Sequence, residues 1–299
     1  MKKVAIYAQS YSVSSEKEIN ILLKVLQKHN VEVVFEEEFH YLLFKNNFIS
    51  KTYPTFSHFR DLSDSFDFMF TLGGDGTILR AVTYIRDLNI PILGINTGRL
   101  GFLAAVKKDE IEEAIDLVLN EDFTIQERSL LEVKVTPESK EISKMSFALN
   151  DVTVARRNTT SMIGVKTYLD NEYLTNYWSD GLIIATPTGS TGYSLSCGGP
   201  VVLPGSKNFI ITPIAPHNLN SRPVVISDKT NIELEISARE NKYLISLDSR
   251  ITTVPEETKV SIKKASFTVK TILLNNQSNI KILRGKLMWG EDKRNNPKL

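Results

Sequence analysis

One cysteine, Cys197, stands among 299 residues, which excludes an intrachain disulfide framework and fits a reducing compartment. Charge of one sign is also missing. Lys and Arg number 36 against 35 Asp and Glu, a formal net of +1, and no local surplus of Lys or Arg marks a basic arm or groove. That leaves no electrostatic footprint for nucleic acid. No apolar run approaches the roughly 18 to 20 residues that span a bilayer. The opening MKKVAIYAQSYS sets two lysines before only a short apolar run, which reads as a first strand and not a signal peptide. The four histidines, His29, His40, His58 and His217, are scattered without ligand spacing, so no zinc site is supported and no metal ligand can be named. These absences point to a soluble, cytoplasmic chain with neither a membrane nor a nucleic-acid partner. At 41% hydrophobic it has the material for a true core, and its length suits two domains.

The first 120 or so residues alternate strand-like and helix-like segments. Val4–Ala8, Val31–Phe35, Phe66–Leu72 and Ile90–Ile95 read as strands. Ser15 and Glu18 form a capping-box pattern before Ile19, Leu22, Leu23 and Leu26, which share one helical face; Leu79–Leu88 and the Ile111–Leu119 stripe read as further helices. Such alternation implies a parallel, Rossmann-like sheet flanked by helices. After Phe123 the pattern changes to apolar or alternating runs separated by turn residues, among them Leu130–Val135, Ser146–Val154, Ile163–Leu169, Leu182–Thr186, Val224–Ile226, Ile232–Ile236, Tyr243–Leu247 and Phe267–Ile272. Helical periodicity is lacking there except for a short stretch near Tyr193, so this half reads as all-β. The division expected is an α/β domain over residues 1–123, a β-rich domain over 124–277, and an apolar tail, 278–299, whose destination cannot be read from spacing.

Between Phe66–Leu72 and the following helix lies Gly73-Gly74-Asp75-Gly76-Thr77. The end of a parallel strand is where ligands bind, glycines allow positive φ and close approach, and a helix N-terminus attracts phosphate. Gly73, Gly74, Gly76 and Thr77 are therefore candidate phosphate binders. Neither standard nucleotide fingerprint is present: there is no G-x-x-x-x-G-K-[ST], and the third Rossmann position is occupied by Leu79. A carboxylate beside phosphates repels them unless it holds a metal or takes a proton from an attacking hydroxyl, both of which belong to phosphoryl transfer. A plain helix cap is the competing reading of Asp75.

A second cluster runs from Asp180-Gly181 through Pro187-Thr188-Gly189-Ser190-Thr191-Gly192-Tyr193-Ser194-Leu195-Ser196. Hydroxyls and glycines at this density offer neutral donors and an approachable backbone, and Tyr193 can pack on a planar ring; a Thr/Ser-rich turn is the bland alternative. Asn150-Asp151, in FALNDVTVA, suits an adenine edge and ribose hydroxyls, or else marks a turn between two short strands. Cys197 lacks a neighbouring histidine and reads as a small filler, and Glu36–Glu38 as a solvated edge.

Together GGDGTILRA, GINTGRLGFL, LND, SDGLIIATPTGSTGYSLSCGGP, PHNLNSRPVV and KLMWG, spread over about residues 71 to 290, resemble the NAD kinase family. GGDGT alone is shared with diacylglycerol kinases and phosphofructokinases; the TPTGSTGYSLS and PHNLNSRP blocks are far more specific. The resemblance implies a nucleotide-binding α/β domain, a β-rich NAD-binding domain, a C-terminal tail, 278–299, that packs back on the first, and a site between the domains completed by a neighbouring subunit of a homodimer or homotetramer. It implies transfer of the γ-phosphoryl of ATP to the 2′-hydroxyl of the adenosine ribose of NAD, with Mg²⁺ carried on the nucleotide. Asp75 matches the residue held to activate that hydroxyl. Gly76 and Arg80 match ligand-facing positions, Asn150 and Asp151 the adenine and ribose pair. Asp180, Thr188, Thr191, Gly192, Tyr193, Ser194, Leu195 and Ser196 fall where the family contacts NAD.

Three positions depart from the family pattern. Asp151 stands where Glu is common, shortening the reach by roughly 1.5 Å; Gly192 replaces Ala; and Asp248-Ser249-Arg250 replaces Asp-Gly-Gln, leaving the role of Arg250 open. A lipid or sugar kinase with the same GGDGT turn, and a non-catalytic NAD(P) sensor, are the rival readings. ATP against polyphosphate as donor, NAD against NADH, and feedback by NADP(H) are not legible in the residues.

Overall fold

The computed structural model describes residues 1–10, 15–98, 101–158 and 161–289. Arg99, Leu100 and Gly290 of the motifs above, and the tail beyond residue 289, lie outside the described residues. The chain divides into two compact units, Met1–Glu127 with Val269–Leu299, and Arg128–Thr268.

In the first unit five parallel strands, β1 (Lys3–Tyr7), β2 (Glu32–Glu36), β3 (Thr55–Phe56), β4 (Phe68–Leu72) and β5 (Ile92–Ile95), stand in the order β5-β4-β1-β2-β3. All five residues of β4 are buried, as befits an internal parallel strand covered on both faces. The helices are α1 (Glu16–Lys28), α2 (Glu37–Lys45), α3 (Asp75–Ile85) and α4 (Ile111–Leu119). The α1 stripe of Ile19, Leu22 and Leu26 is buried in the unit's core with Ile111, Ile115 and Val118 of α4, and both follow the expected spacing. The capping box is not formed. Ser15 holds φ −100° and ψ 2°, outside the extended region a capping side chain needs, and makes no side-chain cap bond. The acidic run is not simply a solvated edge either: Glu36 is buried and its Oε2 accepts the Phe39 N–H at 2.8 Å, which starts α2. The tail forms a helix, Asn279–Leu287, with Leu283 buried.

The strands that follow are Phe123–Thr136 (β6), Phe147–Ala148 (β7), Asp151–Ala155 (β8), Ile163–Leu169 (β9), Glu172–Ser179 (β10), Gly181–Ala185 (β11), Asn208–Ile214 (β12), Val224–Ser227 (β13), Ile232–Ser237 (β14), Lys242–Leu247 (β15), Arg250–Pro255 (β16) and Lys259–Leu274 (β17). Within the second unit one antiparallel sheet runs β13-β12-β11-β8-β15-β16. Another pairs β10, β9, β14 and residues 260–262 of β17, also antiparallel. Val154, Leu182, Phe209 and Tyr243 from the first meet Val165, Tyr177, Ile232 and Ile262 from the second in one core. The expected pairing of an α/β domain with a β domain is therefore present. β11 is buried along its whole length. Leu182 and Ile184 enter that core, while Ile183 and Ala185 pack with Cys197 and Val202, so the segment leaving β11 is drawn back over its outer face. Cys197 is indeed a filler.

Candidate functional site

Two turns carry the residues singled out above, one in each unit. In the first unit β4 ends at Leu72 and α3 begins at Asp75. Gly73 has φ 150°, and a Cβ there would lie 2.2 Å from Thr77 Oγ1, so this position admits only glycine. The Gly73 N–H donates to Ile95 O at 2.9 Å and the Thr77 N–H to Gly74 O at 3.0 Å, and Thr77 is buried. Gly74 and Gly76 are exposed, with open space where a Cβ would stand. The first amides of a helix have no intrahelical acceptor and carry the positive end of its dipole, so the donors available to an anion are the N–H groups of Gly74, Asp75 and Gly76. Arg80 is exposed on the same helix, and its charge opposes the burial that raises the Tyr7 and Tyr84 hydroxyl pKa values.

Asp75 does not cap α3; Gly74 is the N-cap residue. The Asp75 carboxylate accepts three backbone N–H groups from a later loop instead: Phe102 to Oδ2 at 2.8 Å, Leu103 and Ala104 to Oδ1 at 3.0 and 2.9 Å. Gly101 makes this possible, because a Cβ there would sit 1.9 Å from Asp75 Oδ1. The loop is itself anchored, Asn96 N–H to Val106 O at 2.8 Å and Val106 N–H to Gly94 O at 3.2 Å. A carboxylate offers about four lone-pair directions. With three filled, one direction, on Oδ2, is left open among the described residues.

In the second unit the stretch expected as one strand, Ser146–Val154, is broken between Ala148 and Asp151. The N–H groups of Leu149, Asn150 and Asp151 turn out of the ladder to the carboxylate of Asp248, at 3.0, 2.7 and 3.3 Å. Asn150-Asp151 thus forms a corner between two short strands. Against it packs the turn after β11: an imagined Cβ on Gly189 would lie 2.0 Å from Asn150 O, and one on Gly192 would be 3.6 Å from Asn150 Nδ2 and 4.0 Å from Asp151 Oδ2. Asn150 Oδ1 is buried and has no hydrogen-bond partner among the described residues. An orphaned buried acceptor is rare and costs about 1–3 kcal/mol.

Asp151 is 7% exposed and its carboxyl is pushed up to about 7, first by burial and then by the like charge of Asp248; the Thr153 hydroxyl, donating at 3.1 Å, works against this. Burial raises Asp248 as well, opposed by its three amides and by Arg250.

The hydroxyls of the second cluster are mostly engaged within it. Thr186 Oγ1 donates to Leu149 O at 2.6 Å and accepts the Gly189 N–H at 3.1 Å. Ser190 Oγ accepts Val202 N–H at 3.0 Å and lies 2.7 Å from Pro187 O. Thr191 Oγ1 donates to Thr188 O at 3.2 Å, and Ser194 and Thr212 share a bond of 2.7 Å. Thr188 is buried and takes a bond from Arg128 Nη1 at 3.2 Å. Tyr193 is 48% exposed, Ser196 exposed and Leu195 half-buried, on the short helix expected near Tyr193.

Asp180 stands at the opposite end of β11 from this corner, yet its charge and that of Asp151 both act on Tyr193. It lies before β11, whose far end, Ala185, pairs with Asp151, about 16 Å of strand away at 3.3 Å per residue. Its carboxylate is bound by Arg156 at 2.8 Å. Arg128 and Thr186 were not singled out by sequence reasoning; a lone Arg between strand residues carries no signal. Asp248 drew notice only as a departure from a motif. Among the described residues no group of three or more His, Cys, Asp or Glu is placed to hold a metal ion, and none of their helices is long and apolar enough to cross a membrane.

Comparison with known proteins bears on this geometry. Residues 4–123 match the ATP-NAD kinase N-terminal domain, and residues 149–274 the ATP-NAD kinase C-terminal domain. An NAD kinase of Christiangramia forsetii is 52% identical over 98% of this chain and 100% of its own length. One from Flavobacterium psychrophilum is 51% identical over the same shares. Among solved structures, an NAD kinase from Archaeoglobus fulgidus in complex with ATP aligns at TM-score 0.73 and 26% identity, over 96% of this chain and 98% of that one. Yeast NADH kinase complexed with NADH aligns at TM-score 0.86 over 98% of this chain and 89% of that one; at 23% identity it speaks for the fold.

Proposed function

The chain belongs to the ATP-NAD kinase family and is a phosphotransferase, and from that premise we propose how its residues act. The acceptor is the 2′-hydroxyl of the adenosine ribose of NAD, and the donor is ATP. Asp75 accepts the hydroxyl proton on the open direction of Oδ2 as the oxygen attacks the γ-phosphorus, and ADP departs. NADP is the product. The observation that carries this role is the carboxylate's fixation by three backbone amides. Fixed dipoles hold a base in reacting geometry without cost at the moment of reaction. The N–H groups of Gly74, Asp75 and Gly76 receive phosphate oxygens, with Gly73 shaping the turn and the buried Thr77 packed beneath Gly73. Mg²⁺ enters as part of the ATP substrate; no step here depends on a protein ligand to it.

The dinucleotide is held at the second-unit corner. A donor such as an adenine amino group meets Asn150 Oδ1, ribose hydroxyls meet Asp151, and Tyr193 offers an exposed ring for stacking. Thr188, Thr191, Gly192 and Ser194 to Ser196 shape or line that pocket. Asp180, held by Arg156 and close enough for its charge to act on Tyr193, keeps its place among the NAD contacts; the working form is a homodimer or homotetramer, and light scattering on the purified protein checks this. Its setting is the cytoplasm, in keeping with the single cysteine. The direct test supplies ATP, Mg²⁺ and NAD and reads product with an NADP-specific dehydrogenase. NADP accumulating over many turnovers is expected; bound NAD with no product sinks the reading.

A further inference from the structure

The tip of the β15–β16 hairpin does chemical work at a distance that the ligand-binding residues do not reveal. Asp248 occupies that tip at φ 54°, a conformation that Asp tolerates better than most residues, and its side chain is almost wholly shielded. Its carboxylate gathers the N–H groups of three consecutive residues, Leu149, Asn150 and Asp151, while its own N–H returns a bond to Asp151 O at 2.9 Å. Three successive amides converging on one carboxylate cannot belong to an extended strand, where neighbouring N–H groups point opposite ways. The carboxylate therefore dictates the bend. Arg250, two residues on, extends the grip: its guanidinium donates to Met145 O at 2.8 Å and to Phe147 O, lies over the Phe147 ring at 5.4 Å, and is 3.8 Å from Asp248 Oδ2. One hairpin tip thus fixes residues 145 to 151, and with them the direction in which the Asn150 and Asp151 side chains leave the backbone.

We infer that Asp248 is a positioning residue for NAD, setting the Asn150–Asp151 corner through its three amide bonds, with Arg250 as the outer clamp. This rests on the assignment of that corner to the dinucleotide. A consequence separates positioning from plain stability. Asp151 faces Asp248 from the hairpin tip, Tyr193 and Cys197 from the helix at Tyr193–Ser196 and its end, and the Thr153 hydroxyl from its own strand; Arg250 stands by Asp248. Of these Asp248 is the charge that adds to burial in holding the Asp151 proton. Loss of the Asp248 charge lets Asp151 ionise at lower pH. Asp248 thereby sets both where the corner points and the pH at which it is charged.

The experiment measures kcat, KM for NAD and KM for ATP on the full-length Asp248→Asn protein from pH 6 to 9, with thermal unfolding recorded alongside. An amide in place of the carboxylate brings an NH₂ against backbone donors, so KM for NAD is expected to rise at least about tenfold, the loss of one or two charge-assisted bonds. KM for ATP and kcat stay within about twofold, and the acid limb of kcat/KM for NAD moves to lower pH. Asp248→Glu keeps the charge and shifts it by a methylene. It is expected to raise KM for NAD at least about threefold while returning the acid limb to its wild-type position, and it decides the matter if the Asn variant does not fold. Asn150→Ala serves as the control on the underlying assignment. If Asn150→Ala raises KM for NAD and both Asp248 variants leave it unchanged, the positioning role is overturned and the corner stands. If Asn150→Ala itself has no effect on KM for NAD, the corner's assignment fails.

Discussion

The turn at residues 73–77 and the turn at residues 187–192 are both rich in glycine and threonine, yet they are built in opposite ways. The first leaves its outer glycines exposed and ties down its one charge, Asp75, with amides from a loop more than twenty residues away. The second turns its hydroxyls inward, Thr186, Ser190, Thr191 and Ser194 each bonded to a neighbour, and what it presents is the Asn150–Asp151 corner it supports. Glycine density here marks open backbone and hydroxyl density marks internal bracing. Under the roles proposed above, the two turns are expected to fail differently when altered, the first in rate and the second in binding.

Asp75→Asn is expected to break the comparison hardest. Loss of a general base costs at least about 10² in kcat while NAD affinity is kept, measured by initial rates and by titration of NAD against the variant. Near wild-type turnover removes the role given to Asp75. Gly101→Ala sharpens the same point from the loop side. Its Cβ would stand 1.9 Å from Asp75 Oδ1, so the carboxylate or the loop must move. A misplacement approaching 1 Å lowers kcat on the order of 10- to 100-fold, with KM for NAD steady.

Changes at the second turn are expected in KM. Asn150→Ala removes the orphaned Oδ1 and raises KM for NAD about tenfold, roughly 1.4 kcal/mol, with kcat held. Asp151 gives a pH signature of known sign. Because its folded pKa is raised to about 7 above the ordinary carboxylate value, the folded state holds more protons than the unfolded between these limits, and stability falls as pH rises through that window. Asp151→Asn should therefore raise Tm at pH 8 by about 2–4 °C, the shift that about 1 kcal/mol makes in a domain of this size. It should also remove the loss of NAD affinity expected of the wild type as pH falls below about 7, measured by NAD titration across that range. The smallest effect belongs to Thr191→Val, which removes one internal bond worth about 0.5–1.5 kcal/mol. It lowers Tm by a few degrees and changes KM for NAD less than Asn150→Ala does.

Much of the fold was legible because burial writes a period into the chain. The α1 and α4 stripes, the uniformly apolar β4 and the alternating β15 each name their own geometry. Helix α3 begins at Asp75 and not at Leu79, since the glycines that open it carry no apolar signal. β10 was missed because its apolar side chains do not alternate, Tyr173 and Leu174 being neighbours and Tyr177 and Trp178 likewise, and α2 because its start depends on Glu36, one residue of a run that looks merely charged. The candidate site was legible as glycines, hydroxyls and Asp75. The partners that shape it, Gly101 to Ala104 for Asp75 and Asp248 for Asn150, lie 26 or more residues off in sequence, and contacts closed by tertiary folding leave no local pattern.

The two units are unlike in one further respect, with a bearing on synthesis. Residues 128–268 form an unbroken stretch, whereas the other unit is assembled from 1–127 and from residues 269 onward. β17 supplies the second piece, its Thr271 paired with Ile92 of β5. As the chain leaves the ribosome, the β unit can close first, and the GGDGT unit must wait with the flank of β5 uncovered until the C-terminal strand emerges. A truncated polypeptide ending near residue 268 would carry a β unit attached to an aggregation-prone sheet edge.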